Sequence, residues 1–134
     1  MTEEEALHKR APLELRKARE VLAEAAHLQA AGYNEGAISR AYYAVYHAAR
    51  AVLYQHGTAP ITHRGVMSEF SRLVIKTSLV EPEYHQILQT ARNERLAADY
   101  ETTERENFTT PDLAPSVIAD AKRFIERMQK VLAE

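Results

Sequence analysis

The sequence predicts an all-α fold, an antiparallel helical bundle of about five helices. Three observations carry this. Of the 134 residues 22 are Ala and only four are Gly, and Ala together with Leu, Glu and Arg is strongly helix-forming. Apolar residues recur at alternating spacings of three and four through several long segments. No stretch alternates apolar and polar residues with β-branched enrichment, so strands are not expected. Segments of this kind joined by short connections form bundles.

The first helix is expected from about Pro12, which suits a first helical turn, to Ala31, with Gly32 as its stop. Leu15, Ala18, Leu22 and Ala25 give it one apolar face, and the residues before Pro12 read as a short acidic helix or a frayed end. The second is expected from Asn34, a capping residue, to His56, with Gly57 behind it. Ile38, Ala41, Val45, Ala48 and Val52 form its core stripe, and the small alanines allow close helix–helix approach. Thr62 is expected to cap a short third helix with Val66, Phe70 and Leu73 inward. The fourth runs from Pro82 to Tyr100, and a polar linker follows over Glu101 to Thr110. The fifth starts at Thr110-Pro111 and carries Val117, Ala121, Phe124, Met128 and Val131 inward, with Pro115 in its first turn or delaying its start.

Length fits a single domain over residues 1–134. The absence of Cys excludes disulfides, zinc–thiolate sites and a thiol nucleophile. The longest run without Asp, Glu, Lys or Arg, Ala51 to His63, is too short and polar to span a bilayer, so no membrane partner is expected. The acidic N-terminus is unlike a secretory signal, and a cytoplasmic location is the expectation. Seventeen basic and 19 acidic residues give a net charge of −2, which argues against nucleic-acid binding through bulk charge but not against a local basic patch. No two histidines have helical metal-ligand spacing, no glycine-rich phosphate loop is present, and no serine sits in a nucleophile elbow. No cofactor and no metal are expected.

Two segments carry chemistry. On the second helix Arg40, Tyr43, His47 and Arg50 fall near one side and offer guanidinium forks, a phenol and a group that titrates near neutrality. Either they bind an anion, or the tyrosines pack in a helix or subunit interface and His47 is a bonded core residue. On the fourth helix Arg95 lies between Ala91 and Ala98 on the core side, one turn from Asp99. A buried arginine needs an anion. Two readings stand: a structural ion pair, or a polar cleft where Arg92 or Arg95 grips phosphate. If the site is buried, losing Asp99 costs about 3 kcal/mol.

These segments together resemble the small stand-alone HEPN proteins, named for a nucleotide-binding domain of higher eukaryotes and prokaryotes. The features are Gly32-Tyr33, Ser39-Arg40-Ala41-Tyr42-Tyr43-Ala44 through His47-Ala48-Ala49-Arg50-Ala51, the turn at His63 to Val66, Arg95-Leu96-Ala97-Ala98-Asp99-Tyr100, and Ala121, Phe124 and Ile125. The resemblance covers almost the whole chain. It implies a homodimer with a cleft between subunits and, as a partner, a minimal nucleotidyltransferase in a toxin–antitoxin pair. Active HEPN ribonucleases carry an Arg on the fourth helix, a His four to six residues later and often a Tyr two beyond. Arg92-Asn93 matches the start and Asp99-Tyr100 the end, but Ala98 stands where the His would fall. Alanine cannot move the 2′-hydroxyl proton that metal-free RNA cleavage must move. By the same resemblance Tyr100 stands where the nucleotidyltransferase would attach AMP.

The resulting expectation is a HEPN-like nucleotide- or RNA-binding, toxin-type protein with a degenerate ribonuclease motif. Arg40, Tyr43, His47, Arg92 and Arg95 are the phosphate-binding candidates. Arg92, Asp99, Tyr100 and His47 are the candidates for any residual catalysis, and whether the protein is an enzyme stays open. The alternatives are an active ribonuclease in which His47 replaces the missing base and a non-catalytic interaction module. A homodimer is also expected from the alanine stripes and the surplus of tyrosines, and Ala98→His is expected to raise cleavage.

Overall fold

Thr2 sets where the first helix begins. In the computed structural model, which describes residues 1–100 and 110–134 and the side chains of residues 1–99 and 112–134, α1 spans Glu3–Ala30. The Thr2 hydroxyl accepts from the Glu5 N–H at 3.1 Å, and the Glu5 carboxylate accepts from the Thr2 N–H at 3.3 Å, a complete capping box. Glu3, Glu4 and Glu5 also place negative charge in the first turn, where the helix dipole favours it. These end effects, with Leu15, Ala18, Val21 and Ala25 buried, outweigh the interior hydrogen bond that Pro12 removes. The helix therefore runs through Pro12 instead of starting there.

α1 and α2 (Asn34–Gln55) end in the same way. Gly32 at φ +87° and Gly57 at φ +79° take the left-handed conformation that closes each last turn. The N–H of Tyr33 reaches the Leu28 carbonyl at 2.8 Å, and that of Thr58 reaches Leu53 at 3.0 Å, the outer bond of a Schellman cap. At the start of α2, Asn34 is the first helical residue; Tyr33 holds the cap position and makes no side-chain cap bond. α3 (His63–Phe70) begins as expected, with the Thr62 hydroxyl accepting from the Gly65 N–H at 2.9 Å. It passes into a π-helical turn over Ser71–Ile75 that the sequence does not announce. α4 spans Pro82–Tyr100 and α5 spans Thr110–Ala133, with Pro115 accommodated inside it. Most of the polar linker expected over Glu101 to Thr110 lies outside the described residues. Among the described residues there is no strand, and no helix is long and apolar enough to cross a membrane.

α2 is the central helix and packs against α1, α3, α4 and α5. Its Ala41, Ala44, Ala48, Ala49 and Ala51 are fully buried, which lets the neighbouring backbones approach closely. Val45, Val52, Phe70, Leu88, Phe124 and Met128 fill the main core. A smaller cluster of Ala37, Ile38, Ala98 and Ala114 closes one end of α2. The alanine stripe and the rings of Tyr42, Tyr46 and Tyr54 are thus used inside the chain. Contact with a second copy would have to use other surface, where among the described residues Met1, Leu13, Tyr33 and Ile61 are the large exposed hydrophobic side chains.

Candidate phosphate-binding site

α2 and α4 meet through a cation held on two phenol rings. Arg95 lies one turn before Asp99, and its Nε is 2.9 Å from Asp99 Oδ2. Its Nη2 donates to the Tyr43 hydroxyl at 2.8 Å. The guanidinium sits 5.2 Å from the Tyr43 ring centre and 5.9 Å from that of Tyr42, within cation–π range. Ser39 Oγ donates to Asp99 Oδ2 at 3.3 Å, so α2 holds both members of the pair. The Arg95 and Asp99 side chains retain 18% and 27% of their exposure, so the cluster is half-buried with an edge on solvent.

The imidazole that joins this cluster is His63, the first residue of α3. It stacks on Tyr46 at 4.5 Å between ring centres with planes 13° apart, and its Nδ1 is hydrogen-bonded to the Tyr42 hydroxyl. Burial first, then the positive charges of Arg95, Arg92 and Arg50, hold its pKa below the ordinary histidine value. Burial likewise pushes the Tyr42 phenol up, so that hydroxyl stays protonated near neutrality. Sequence reasoning placed His63 only in a turn. Its signal was the position directly after the capping Thr62, which fixes where the ring emerges.

The polar stripe on α2 divides. Tyr43 faces α4, whereas its other members are held by carboxylates of α1. Arg40 donates from Nε and Nη2 to Glu24 Oε2 at 2.9 and 2.5 Å. His47 Nδ1 lies 2.5 Å from Glu14 Oε1, and Arg50 Nε lies 3.7 Å from the same oxygen. Burial alone would raise the Glu14 carboxyl, but the His47 hydrogen bond and the charges of Arg50, His47 and Arg10 hold it below the usual carboxylate range. The structure therefore joins Tyr43, Arg95 and Asp99, and engages Arg40 and His47 elsewhere.

Arg92 lies one turn before Arg95 and lines a groove between α4 and the α3–π-turn segment. Ala98 is buried with Ala37, Ile38 and Ala114. A side chain at position 98 therefore points into packed apolar side chains, about 120° around the helix from Arg92. The side chain of Tyr100 lies outside the described residues. Among the described residues no group of His, Asp and Glu could hold a metal ion.

What this arrangement can do is bind an anion. Arginines beside a hydrogen-bonding phenol offer forked donors suited to phosphate oxygens. Comparison with known proteins agrees with the architecture. The chain is 36% identical over 98 residues to "Putative toxin MJ0605" of Methanocaldococcus jannaschii, covering 73% of this chain and 70% of that protein. It is 30% identical over 89 residues to "Putative toxin MJ0142" of the same organism, covering 66% and 60%. It is 29% identical over 120 residues to a UPF0332 protein of Thermotoga maritima, covering 89% and 88%. The HEPN domain pattern matches residues 12–131, from within α1 to near the end of α5, and the chain belongs to the HEPN domain family.

Proposed function

We propose that this chain is a toxin-type HEPN protein, one domain over residues 1–134, that binds nucleotide or RNA phosphate and works with a minimal nucleotidyltransferase. The observation that carries the reading is the pair of arginines on α4, with Arg95 oriented by Tyr43 and Asp99 and Arg92 one turn away on the rim of a basic groove. The toxin names of the relatives support the partner. A homodimer is part of the proposal. Its surface would involve the exposed Leu13, Tyr33 or Ile61, and light scattering at micromolar concentration should give twice the chain mass.

Efficient cleavage is not part of the proposal. Ala98 lacks a titratable group, and its surroundings are apolar. Calorimetric titration with AMP tests the binding. Wild type should bind weakly and lose affinity with salt, and Arg92→Gln should abolish the heat. Equal binding by Arg92→Gln would remove the basis of the reading.

A second reading, cleavage with His47 as base, has one observation in its favour. The Glu14 carboxylate at 2.5 Å holds one nitrogen of the imidazole, as a carboxylate does when it orients a general base.

A further inference from the structure

Most arginines of this chain are answered by a carboxylate. Arg40 meets Glu24, Arg50 meets Glu14, Arg95 meets Asp99, Arg123 meets Glu83 and Arg127 meets Glu81. The groove of about 640 Å³ between α4 and the α3–π-turn segment breaks this pattern. Arg64, Arg72, Lys76 and Arg92 line it, and no Asp or Glu does. Arg72 is engaged by Glu69 at 2.5 Å. Among the described residues no hydrogen bond or ion pair is formed by the side chains of Arg64, Lys76 or Arg92. In a chain with 19 acidic and 17 basic residues, such a local excess is not a consequence of overall charge.

We infer that this groove is a binding track for the phosphate backbone of an RNA strand, extending the phosphate site at Arg92. The inference rests on the function proposed above and adds three residues on a different helical segment. Spacing argues for a polymer over a single phosphate. Arg64 in α3 and Lys76 directly behind the π-turn are twelve residues apart, at most about 18 Å at a rise of about 1.5 Å per residue. One strand of a duplex carries a phosphate about every 3.4 Å along the axis, so cations spread this far answer several phosphates.

The rest of the lining favours nucleic acid over an acidic protein. Ser68, Ser71 and Gln89 supply further hydrogen-bonding groups, and Met67 is the sole aliphatic side chain. A protein interface normally has an apolar or aromatic core, which this groove lacks. Phosphate contacts from Arg, Lys, Ser and Gln are what a nucleic-acid backbone takes.

The test is fluorescence anisotropy with a labelled 12-nucleotide oligouridylate between 50 and 200 mM salt, in parallel with AMP calorimetry. The variants are the triple Arg64→Gln, Arg72→Gln, Lys76→Gln and the single Lys76→Glu. All three side chains are exposed, and the single variant removes any folding burden from the triple. Single-strand binding loses about 0.7 in the log–log salt slope per phosphate contact. The triple variant should therefore flatten the slope by about 2 and bind the 12-mer at least tenfold more weakly at 50 mM salt. Lys76→Glu should move both in the same direction, and in both variants the AMP affinity should fall by a smaller factor than the 12-mer affinity, because AMP offers one phosphate and the strand several. A 12-mer affinity and slope unchanged in the triple variant overturn the groove, while AMP heats lost in Arg92→Gln would still leave the function above standing. A groove effect on the 12-mer without any AMP binding by wild type would keep the track and sink that function instead. A labelled polyglutamate bound as tightly as the RNA, with the same loss in the triple variant, would mean a protein partner and overturn the inference.

Discussion

Replacing Asp99 with Ala removes a carboxylate 2.9 Å from Arg95 Nε and the acceptor of the Ser39 hydroxyl at 3.3 Å. The size of the loss follows from burial. An exposed pair one helical turn apart is worth about 0.3–0.5 kcal/mol, whereas breaking a fully buried pair costs about 3–5 kcal/mol. With side chains 18% and 27% exposed, this pair falls between, and the Ser39 bond adds up to about 1 kcal/mol. The expected cost is about 1.5–2 kcal/mol, below the roughly 3 kcal/mol that full burial would give. The unfolding entropy of a 134-residue chain is about 0.28 kcal/mol/K, from about 2.1 cal/mol/K per residue. The melting temperature should thus fall by about 5–7 °C. Thermal circular dichroism at neutral pH reads this directly. Because Arg95 also donates to Tyr43 at 2.8 Å, a double-mutant cycle of Asp99→Ala with Tyr43→Phe should show coupling of at least about 0.5 kcal/mol. A melting shift under 1 °C with additive effects would refute the cluster as a coupled unit.

The remaining predictions concern pH, packing and capping. The pKa values of His63 and His85 are held down chiefly by burial, so the unfolded chain binds more protons than the native one below about pH 6.5. Stability should be full above that pH and fall as pH drops toward 5, and His63→Gln should flatten part of the slope in urea titrations at several pH values. Ala98→His, which the family motif alone would favour for activity, should cost about 1–3 kcal/mol by overpacking the Ala37–Ile38–Ala114 cluster. Unchanged melting would show that the imidazole escapes the core. Thr62→Ala deletes the cap bond to Gly65 at 2.9 Å and should cost about 1 kcal/mol in denaturant unfolding.

What the sequence disclosed was mostly local. Gly32 and Gly57 end their helices because a left-handed residue closes the last turn, and Thr62 caps α3 through a residue three positions on; each signal lies within a few residues. At the start of α1 two local signals compete, and the Thr2–Glu5 box outweighs Pro12 only when the burial that follows is included. The π-turn at Ser71–Ile75 has no such signal. The same division runs through the site. Arg95 and Asp99 are one turn apart and could be paired from spacing alone. That Glu24 takes Arg40 and Glu14 takes His47 depends on how α1 lies against α2. The burial of Ala98 and the gathering of Arg64, Arg72, Lys76 and Arg92 in one groove depend equally on packing between distant helices.

Incubation of labelled single-stranded RNA with the wild-type protein in the presence of a chelator tests the central claim most directly, because binding and cleavage are read from the same sample. The account predicts salt-sensitive binding with the RNA left intact over hours, and loss of that binding in Arg92→Gln. Losing a positioned acid or base typically costs about a hundredfold to ten-thousandfold in rate, so only slow residual scission is compatible with it. Brisk cleavage by wild type that persists in Arg92→Ala and vanishes in His47→Ala would contradict the account and move the chemistry to the Glu14–His47 pair.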